Sequence, residues 1–514
     1  MKPLRALLAA ALALACITPA LADDPPASSA KAASAPATAP TNVEDAVTHH
    51  TIAIGGKTYA YTARAGTITL RNQNDQPTAQ MFYVAYTLDN AAPNHPVSFF
   101  YNGGPGSSSM WLHMGSFAPV RVETTNGSIT PPAPYRIVPN DETLLDKTDM
   151  VFIDMPDSGF GRIVGAGTEK DFFGVDNDVK AFGQFIQRYL TEFGRWNSPK
   201  FLYGESYGTT RSAALVDYLQ NQGVGMNGVV LQSSILNFGV DGSDTGSNDW
   251  PYILYLPTEA AAAWYHHGLP NAPATLNDLL SNVEQFAMGE YSDALAKGDQ
   301  VSSSEYNDVV QKLHNYTGLS EQFIRNSDLR FPYTRFENQI FRNKGQIVGR
   351  LDARFETLTT DRLADQPQWD PTDAAIDAPF TAAVNDYLRT TLGYRSPLPY
   401  RSGIYDIIYA NGNSWDFKHN GNPNTNVLPD LSEAMTFNPN LKIFSANGYY
   451  DFATPFFETM YSLDHLNIEP SLKQNITYGF YDSGHMIYLN PQALKALHDD
   501  LERWYDSTLG GHAS

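Results

Sequence analysis

Cysteine is almost missing from this 514-residue chain: the single one, Cys16, lies inside an apolar stretch at the N-terminus. If that stretch is removed on export, no thiol remains, which excludes a disulfide framework. Basic residues are also scarce. With 34 Lys and Arg against 55 Asp and Glu the formal charge is -21, and such a field repels phosphate backbones, so nucleic-acid binding is excluded as a function. Long apolar runs are lacking too. The run from Leu7 to Ile17 is far shorter than the roughly 20 residues of a membrane-spanning helix, and no other candidate span follows. Gly and Pro show no period, which rules out a collagen-like chain, and 29 Tyr with 27 Phe rule out one that is largely disordered.

What the N-terminus does contain is a leader. Lys2 and Arg5 precede the apolar run, and Ala20-Leu21-Ala22 supplies the small-x-small pattern at which signal peptidase cuts. Residues 1–22 are therefore expected to be a signal peptide cut after Ala22, leaving a secreted or periplasmic protein with no membrane attachment. Ala13-Leu14-Ala15-Cys16 is similar to a lipoprotein acylation site, but Ala13 stands where Leu is usual, which disfavours a lipid anchor at Cys16. Residues 23–48 are Ala, Pro, Ser and Thr with almost no bulky apolar side chain. Such a stretch cannot bury enough surface to offset its ordering entropy and is expected to be a disordered spacer.

From residue 49 to 514 the pattern is that of one folded domain. Thr51 to Ile54, Thr58 to Thr62 and Gln80 to Leu88 read as β-strands, the last through the alternation of Phe82, Val84 and Tyr86. Short continuous apolar runs follow at Val97 to Tyr101, Met150 to Ile153, Phe201 to Tyr203, Val229 to Leu231 and Ile443 to Ala446, each ending in a Gly- or Ser-rich turn. Runs of this kind fit strands covered on both faces. Helical stripes lie among them, notably Val179, Phe182, Phe185, Ile186, Tyr189, Leu190 and Phe193, and a closing one at Leu494, Leu497, Leu501 and Trp504. The alternation predicts an α/β fold with a central, mostly parallel sheet and a β-rich N-terminal edge. Residues 241–400, with helical segments at Thr258 to His266 and Ala274 to Ala287, break the rhythm and read as a large, mainly helical insertion.

The chemistry concentrates in Phe201-Leu202-Tyr203-Gly204-Glu205-Ser206-Tyr207-Gly208, a GxSxG between an expected strand and an expected helix. Its glycines suit a sharp turn that lifts Ser206 out at a helix N-terminus as a nucleophile. In α/β hydrolases the acid and then the histidine follow the serine, after later strands. Asp451, after the run ending at Ala446, and His485, after the run Ile476 to Tyr481, arrive in that order. Asp482 is the rival acid; it shares a loop with His485 and would have to fold back on it, so Asp451 is preferred. Oxyanion amides would come from the Gly-rich turn Asn102-Gly103-Gly104-Pro105-Gly106 and from Tyr207. The GxGxxG at Gly223 to Gly228 precedes a strand rather than following one, which disfavours a dinucleotide site. The adjacent pairs His49-His50 and His266-His267 diverge too far to share a metal, and Asp241, Asp244 and Asp249 lack the EF-hand spacing. No cofactor or metal is expected.

NGGPGSSS, GESYG, GYYD and SGHM, in that order, resemble the serine carboxypeptidase family over most of residues 80 to 500 apart from the insertion. The resemblance implies the α/β-hydrolase fold, with the insertion as lid. It assigns the triad to Ser206, Asp451 and His485 and the oxyanion amides to Gly104 and Tyr207. It implies that Asn102 and Glu205 bind the free C-terminal carboxylate of a peptide substrate, Glu205 as the protonated acid, hence a preference for acidic pH. Apart from that role, Glu205 reads as an acid stabilised by a helix N-terminus. Ser116 stands where the family has a further Glu, Phe100 where it has Trp, and Arg211 falls in a Gly-Thr-Thr-Arg continuation the family does not share. Arg211 reads either as a carboxylate partner or, preferably, as a structural ion pair. The implied activity is removal of C-terminal residues through an acyl-enzyme. An esterase or acyltransferase using the same triad is the alternative, favoured by Ser116; a catalytically dead binding scaffold is disfavoured because every catalytic position is filled. The sequence marks no surface for an oligomer.

Overall fold

The computed structural model describes residues 44–92, 94–241, 248–410 and 414–510. All belong to one compact unit, Ala39–Ser514. The expected signal peptide and most of the expected spacer lie outside the described residues.

Three long strands open the domain: β1 (Ala46–Ile54), β2 (Lys57–Arg71) and β3 (Pro77–Leu88). They pair antiparallel, β1 starting with Ala46 opposite Ala65. This corrects the expected spacer boundary, because residues 46–48 are the first rungs of a ladder; their composition is weak, but β2 supplies partners for their backbone groups. Next come β4 (Val97–Tyr101), β5 (Asp149–Ile153), β6 (Lys200–Ser206), β7 (Gly228–Ser234), β8 (Lys442–Gly448) and β9 (Ile476–Tyr481). The sheet order is β1-β2-β3-β5-β4-β6-β7-β8-β9, with a two-residue strand, Arg162–Ile163, on β3. From β5 to β9 every pairing is parallel, and β3 meets β5 antiparallel.

Parallel strands need crossovers, and helices supply them: α1 (Met110–Gly115), α2 (Val175–Glu192) and α3 (Tyr207–Asn221). Because neighbouring side chains on a strand point to opposite faces, the continuous apolar runs feed two cores at once. Phe99, Val151, Leu202 and Val229 pack with α2 and α3 on one face, while Phe100, Phe152, Tyr203 and Val230 face the other.

The insertion contains α4 (Trp250–Tyr265), α5 (Leu276–Phe286), α6 (Ser303–Thr317) and α7 (Pro371–Asp386) before the chain rejoins the sheet at α8 (Leu428–Phe437); α9 (Phe456–Asp464) and α10 (Pro491–Gly510) follow. Helix α4 starts well before the expected Thr258, and Pro257 sits inside it. The insertion divides in two. Its first helices build a separate apolar core that includes Leu256, Val283 and Leu313 and takes in Tyr450, Phe452 and Phe456 from beyond it. Helix α7 instead lays Ile376, Phe380 and Val384 on the sheet core, beside Leu494 and Leu497 of α10. Residues 401–410 and 414–427 return along the body through isolated bridges, Gly403 to Ser107, Arg401 to Gly159 and Asp416 to Gly174, so the insertion ends beyond the expected 400. Among the described residues no helix is long and apolar enough to cross a membrane.

Two carboxyls are buried in the insertion with little to hold a charge. Glu259 on α4 and Glu337 are both about 2% exposed, and burial pushes both far above the ordinary glutamate range. A group whose folded pKa is raised is held protonated by the fold, so the stability it permits is full below the unfolded value near 4.5 and is lost progressively as pH rises above it. Thermal denaturation from pH 4 to pH 9 should therefore show a falling midpoint, and the double substitution Glu259→Gln, Glu337→Gln should flatten the fall. An unchanged slope in the double variant would mean that other groups set it.

Candidate active site

The candidate triad, oxyanion and carboxylate-binding residues lie at or just beyond the carboxyl ends of parallel strands, where open α/β sheets form their crevices. Ser206 ends β6 and immediately precedes α3, with φ 62° and ψ -133°. A serine in that region is strained by about 1–3 kcal/mol, and the surroundings enforce it. A Cβ on Gly204 would sit 2.2 Å from the Gly208 carbonyl oxygen, and one on Gly208 would sit 2.8 Å from that of Tyr101. The Gly-rich turn after β4 presses on the same corner: a Cβ on Gly103 would lie 2.4 Å from the Tyr207 amide nitrogen. Gly104, at φ 109°, lines the cleft together with Ser206 and Tyr207.

His485 is buried, and its Nδ1 lies 2.8 Å from Asp451 Oδ2. Asp451 is fully buried. Its Oδ1 accepts the amides of Ala453 at 2.8 Å and Thr454 at 3.0 Å, and the Thr454 hydroxyl donates to Oδ2 at 2.7 Å. That is a carboxylate anchored from three directions and aimed at one imidazole nitrogen. Burial works against a charged His485 ring, yet the Asp451 carboxylate and its hydrogen bond, with Glu205 nearby, raise it above the ordinary histidine value. The rival Asp482 turns away: its carboxylate accepts from Tyr450 Oη at 2.7 Å.

Glu205 and Asn102 are brought together. Asn102 Nδ2 donates to Glu205 Oε1 at 2.6 Å, and Gln232 Nε2 donates to Oε2 at 2.8 Å. Burial pushes Glu205 up to about 7, against the pull of the neighbouring His485. Asn102 is fixed in turn, its Oδ1 accepting the Leu112 amide at 3.0 Å. The departures from the family pattern resolve into packing. Ser116 is buried and donates to the Leu112 carbonyl at 2.6 Å. Phe100 is stacked between Phe152 and Tyr203, with ring centroids 4.9 and 4.8 Å away. Arg211 is fully buried, with Nε 2.6 Å from Asp178 and Nη1 donating to the Asn102 carbonyl at 2.9 Å. It is a structural ion pair behind the turn, not a group facing the cleft.

Two hollows meet at Ser206. One, of about 620 Å³, is walled by Tyr255, Tyr333, Phe238 and Phe417. The other, of about 710 Å³, holds Asn102, Glu205, His485, Trp111 and the acids Asp373 and Asp377 of α7. A separate hollow of about 760 Å³ between α8 and α9 is lined by none of the candidate residues. Of the other sequence candidates, His266 Nε2 lies 2.6 Å from the Ala353 carbonyl oxygen and Asp249 pairs with Arg330 at 2.7 Å; Asp244 lies outside the described residues.

Sequence reasoning missed three supports. Tyr488, three residues past His485, donates to Glu205 Oε1 at 3.4 Å. Thr454, three past Asp451, was legible in principle as a turn hydroxyl. The third is a strap from the insertion, residues 349–354, threaded between the acid and base loops. The Arg350 carbonyl accepts from the Phe452 amide at 3.0 Å and the Leu351 carbonyl from the His485 amide at 2.7 Å. Asp352 accepts the Gly484 amide at 3.2 Å, and Arg354, paired with Asp352, donates to Ser483 Oγ at 3.1 Å.

The family model described as serine carboxypeptidase matches residues 57–483 and stops just short of His485. Among curated proteins, the chain is similar to serine carboxypeptidase S10 family member 1 of Dictyostelium discoideum, 21% identical over 355 residues that cover 66% of this chain and 74% of that one. It is also similar to serine carboxypeptidase-like 45 of Arabidopsis thaliana, 24% identical over 194 residues, 35% of this chain and 39% of that one. Among solved structures, the prohormone-processing carboxypeptidase Kex1 of Saccharomyces cerevisiae aligns with a TM-score of 0.49 at 16% identity, covering 86% of this chain and 91% of that one. Since the family match runs from β2 through β9, across the sheet and the insertion alike, this chain belongs to the serine carboxypeptidase family and is a serine-type carboxypeptidase.

Proposed function

We propose that the protein is exported through residues 1–22 and removes C-terminal residues from peptides with Ser206, His485 and Asp451. The observation that carries this is the Asp451–His485 contact of 2.8 Å in a cleft that His485 shares with the strained Ser206. His485 takes the Ser206 proton as Oγ attacks the last peptide carbonyl, and Asp451 fixes the ring's tautomer and balances its charge. The Gly104 and Tyr207 amides receive the developing oxyanion. The protonated His485 then gives its proton to the departing amino group, and water attacking through the same base releases the shortened peptide. The hollow with Asn102 and Glu205 takes the leaving residue, the aromatic hollow takes the residue before it, and the insertion roofs both.

Glu205 and His485 set the pH dependence together. The working form has Glu205 protonated, so that it donates to the substrate carboxylate, and His485 neutral, so that it accepts from Ser206. Rising pH strips Glu205 near 7; falling pH protonates His485, whose charged form the Asp451 carboxylate favours. A bell-shaped kcat/KM for a free-acid peptide is expected, with its alkaline limb near pH 7. Glu205→Gln leaves a donor that does not titrate. The alkaline limb should then disappear, while the acid limb, on which Glu205 is already neutral, should hold its place; a profile identical to the parent's would assign the alkaline limb elsewhere. Ser206→Ala should lower turnover by about 10³-fold or more while the thermal midpoint holds, and should abolish labelling by a fluorophosphonate.

A further inference from the structure

Resting on the carboxypeptidase reading, we propose that Arg350, a residue of the insertion, binds the C-terminal carboxylate of the substrate. Arg350 is exposed and lines both hollows that meet at Ser206, as well as a smaller one beside them with Glu337 and Asp370. Its backbone is fixed by the strap, through the Phe452 amide on its carbonyl at 3.0 Å. Its side chain is hardly engaged. Nε reaches Tyr333 Oη at 3.3 Å, and among the described residues the two terminal nitrogens make no hydrogen bond and no carboxylate lies within ion-pair distance. Asp370 and Asp373 are felt only at longer range; Asp370 is occupied by the Leu351 and Thr372 amides, at 2.9 and 2.8 Å.

A guanidinium with its planar fork free is the side chain best matched to a carboxylate. In the hollow that holds Asn102 and Glu205, the neutral or acidic groups present supply hydrogen bonds but no positive charge, and Ser116 is turned into its own helix end. Arg350 is the cation that this grip otherwise lacks. It also explains how a substrate carboxylate could sit beside a cluster of acids: the guanidinium offsets the field of Asp373 and Asp377 where the chain end must lie.

The test compares a blocked dipeptide with its C-terminal amide in the wild type, Arg350→Gln and Arg350→Lys. Charge-assisted hydrogen bonds contribute about 1.5–3 kcal/mol, or roughly 10- to 150-fold. The acid-to-amide ratio of kcat/KM should fall by about that factor in Arg350→Gln, mainly through KM of the free acid, and Arg350→Lys should recover part of it. A ratio that survives in Arg350→Gln overturns the assignment of Arg350 and leaves the carboxypeptidase reading intact. A wild type indifferent to amidation overturns that reading itself. A second pair of free acids, with Glu or Gln before the scissile bond, separates the other source of a carboxylate: a loss confined to the Glu substrate would mean that Arg350 reads that side chain and would overturn the proposal.

Discussion

The cleft depends on a contact between backbones that leaves no room for side chains. Where β6 turns into α3, Gly204 and Gly208 lie against each other and Gly208 lies against Tyr101, while Gly103 sits on the amide of Tyr207. Three stretches of main chain are thereby packed at van der Waals distance, which sets Ser206 at its unusual φ of 62° and brings the two turns that supply candidate oxyanion amides side by side. Behind them, the Arg211 guanidinium joins Asp178 on α2 to the Asn102 carbonyl. A buried ion pair contributes little net stability by comparison with apolar packing; its use here is geometric, since it fixes one turn relative to the other.

Much of this was legible in the sequence, for physical reasons that differ by element. Strands buried on both faces must be continuously apolar, so Val97 to Tyr101 coincides with β4 from end to end. The order of Ser206, Asp451 and His485 was legible because chain connectivity fixes which strand ends can converge. The start of β1 was not, since residues 46–48 owe their ordering to β2 and not to their own composition. The insertion was read only as helical. Its helices are sorted by tertiary contacts that no local pattern encodes: α7 packs on the sheet, while α4 to α6 pack with Phe452 and Phe456. For the same reason Arg350 carried no signal, because its meaning comes from a cleft assembled by distant segments.

Electrostatically the cleft behaves as one unit. Glu205 is raised by burial and lowered by His485, and His485 is raised in turn by Asp451 and Glu205. One proton on this trio gives either a neutral glutamate with a neutral histidine or a glutamate–histidine ion pair, and the proposed reaction uses the first.

The strap from the insertion makes the roof and the chemistry inseparable. Its carbonyls hold the amides of Phe452 and His485, and its Asp352–Arg354 pair holds the loop that presents His485. Trimming the chain to its sheet and crossover helices would remove part of the scaffold that holds His485. Residues 349–354 and the loops that carry Asp451 and His485 thus form a single structural part, whereas α5 and α6 line neither of the hollows that meet at Ser206.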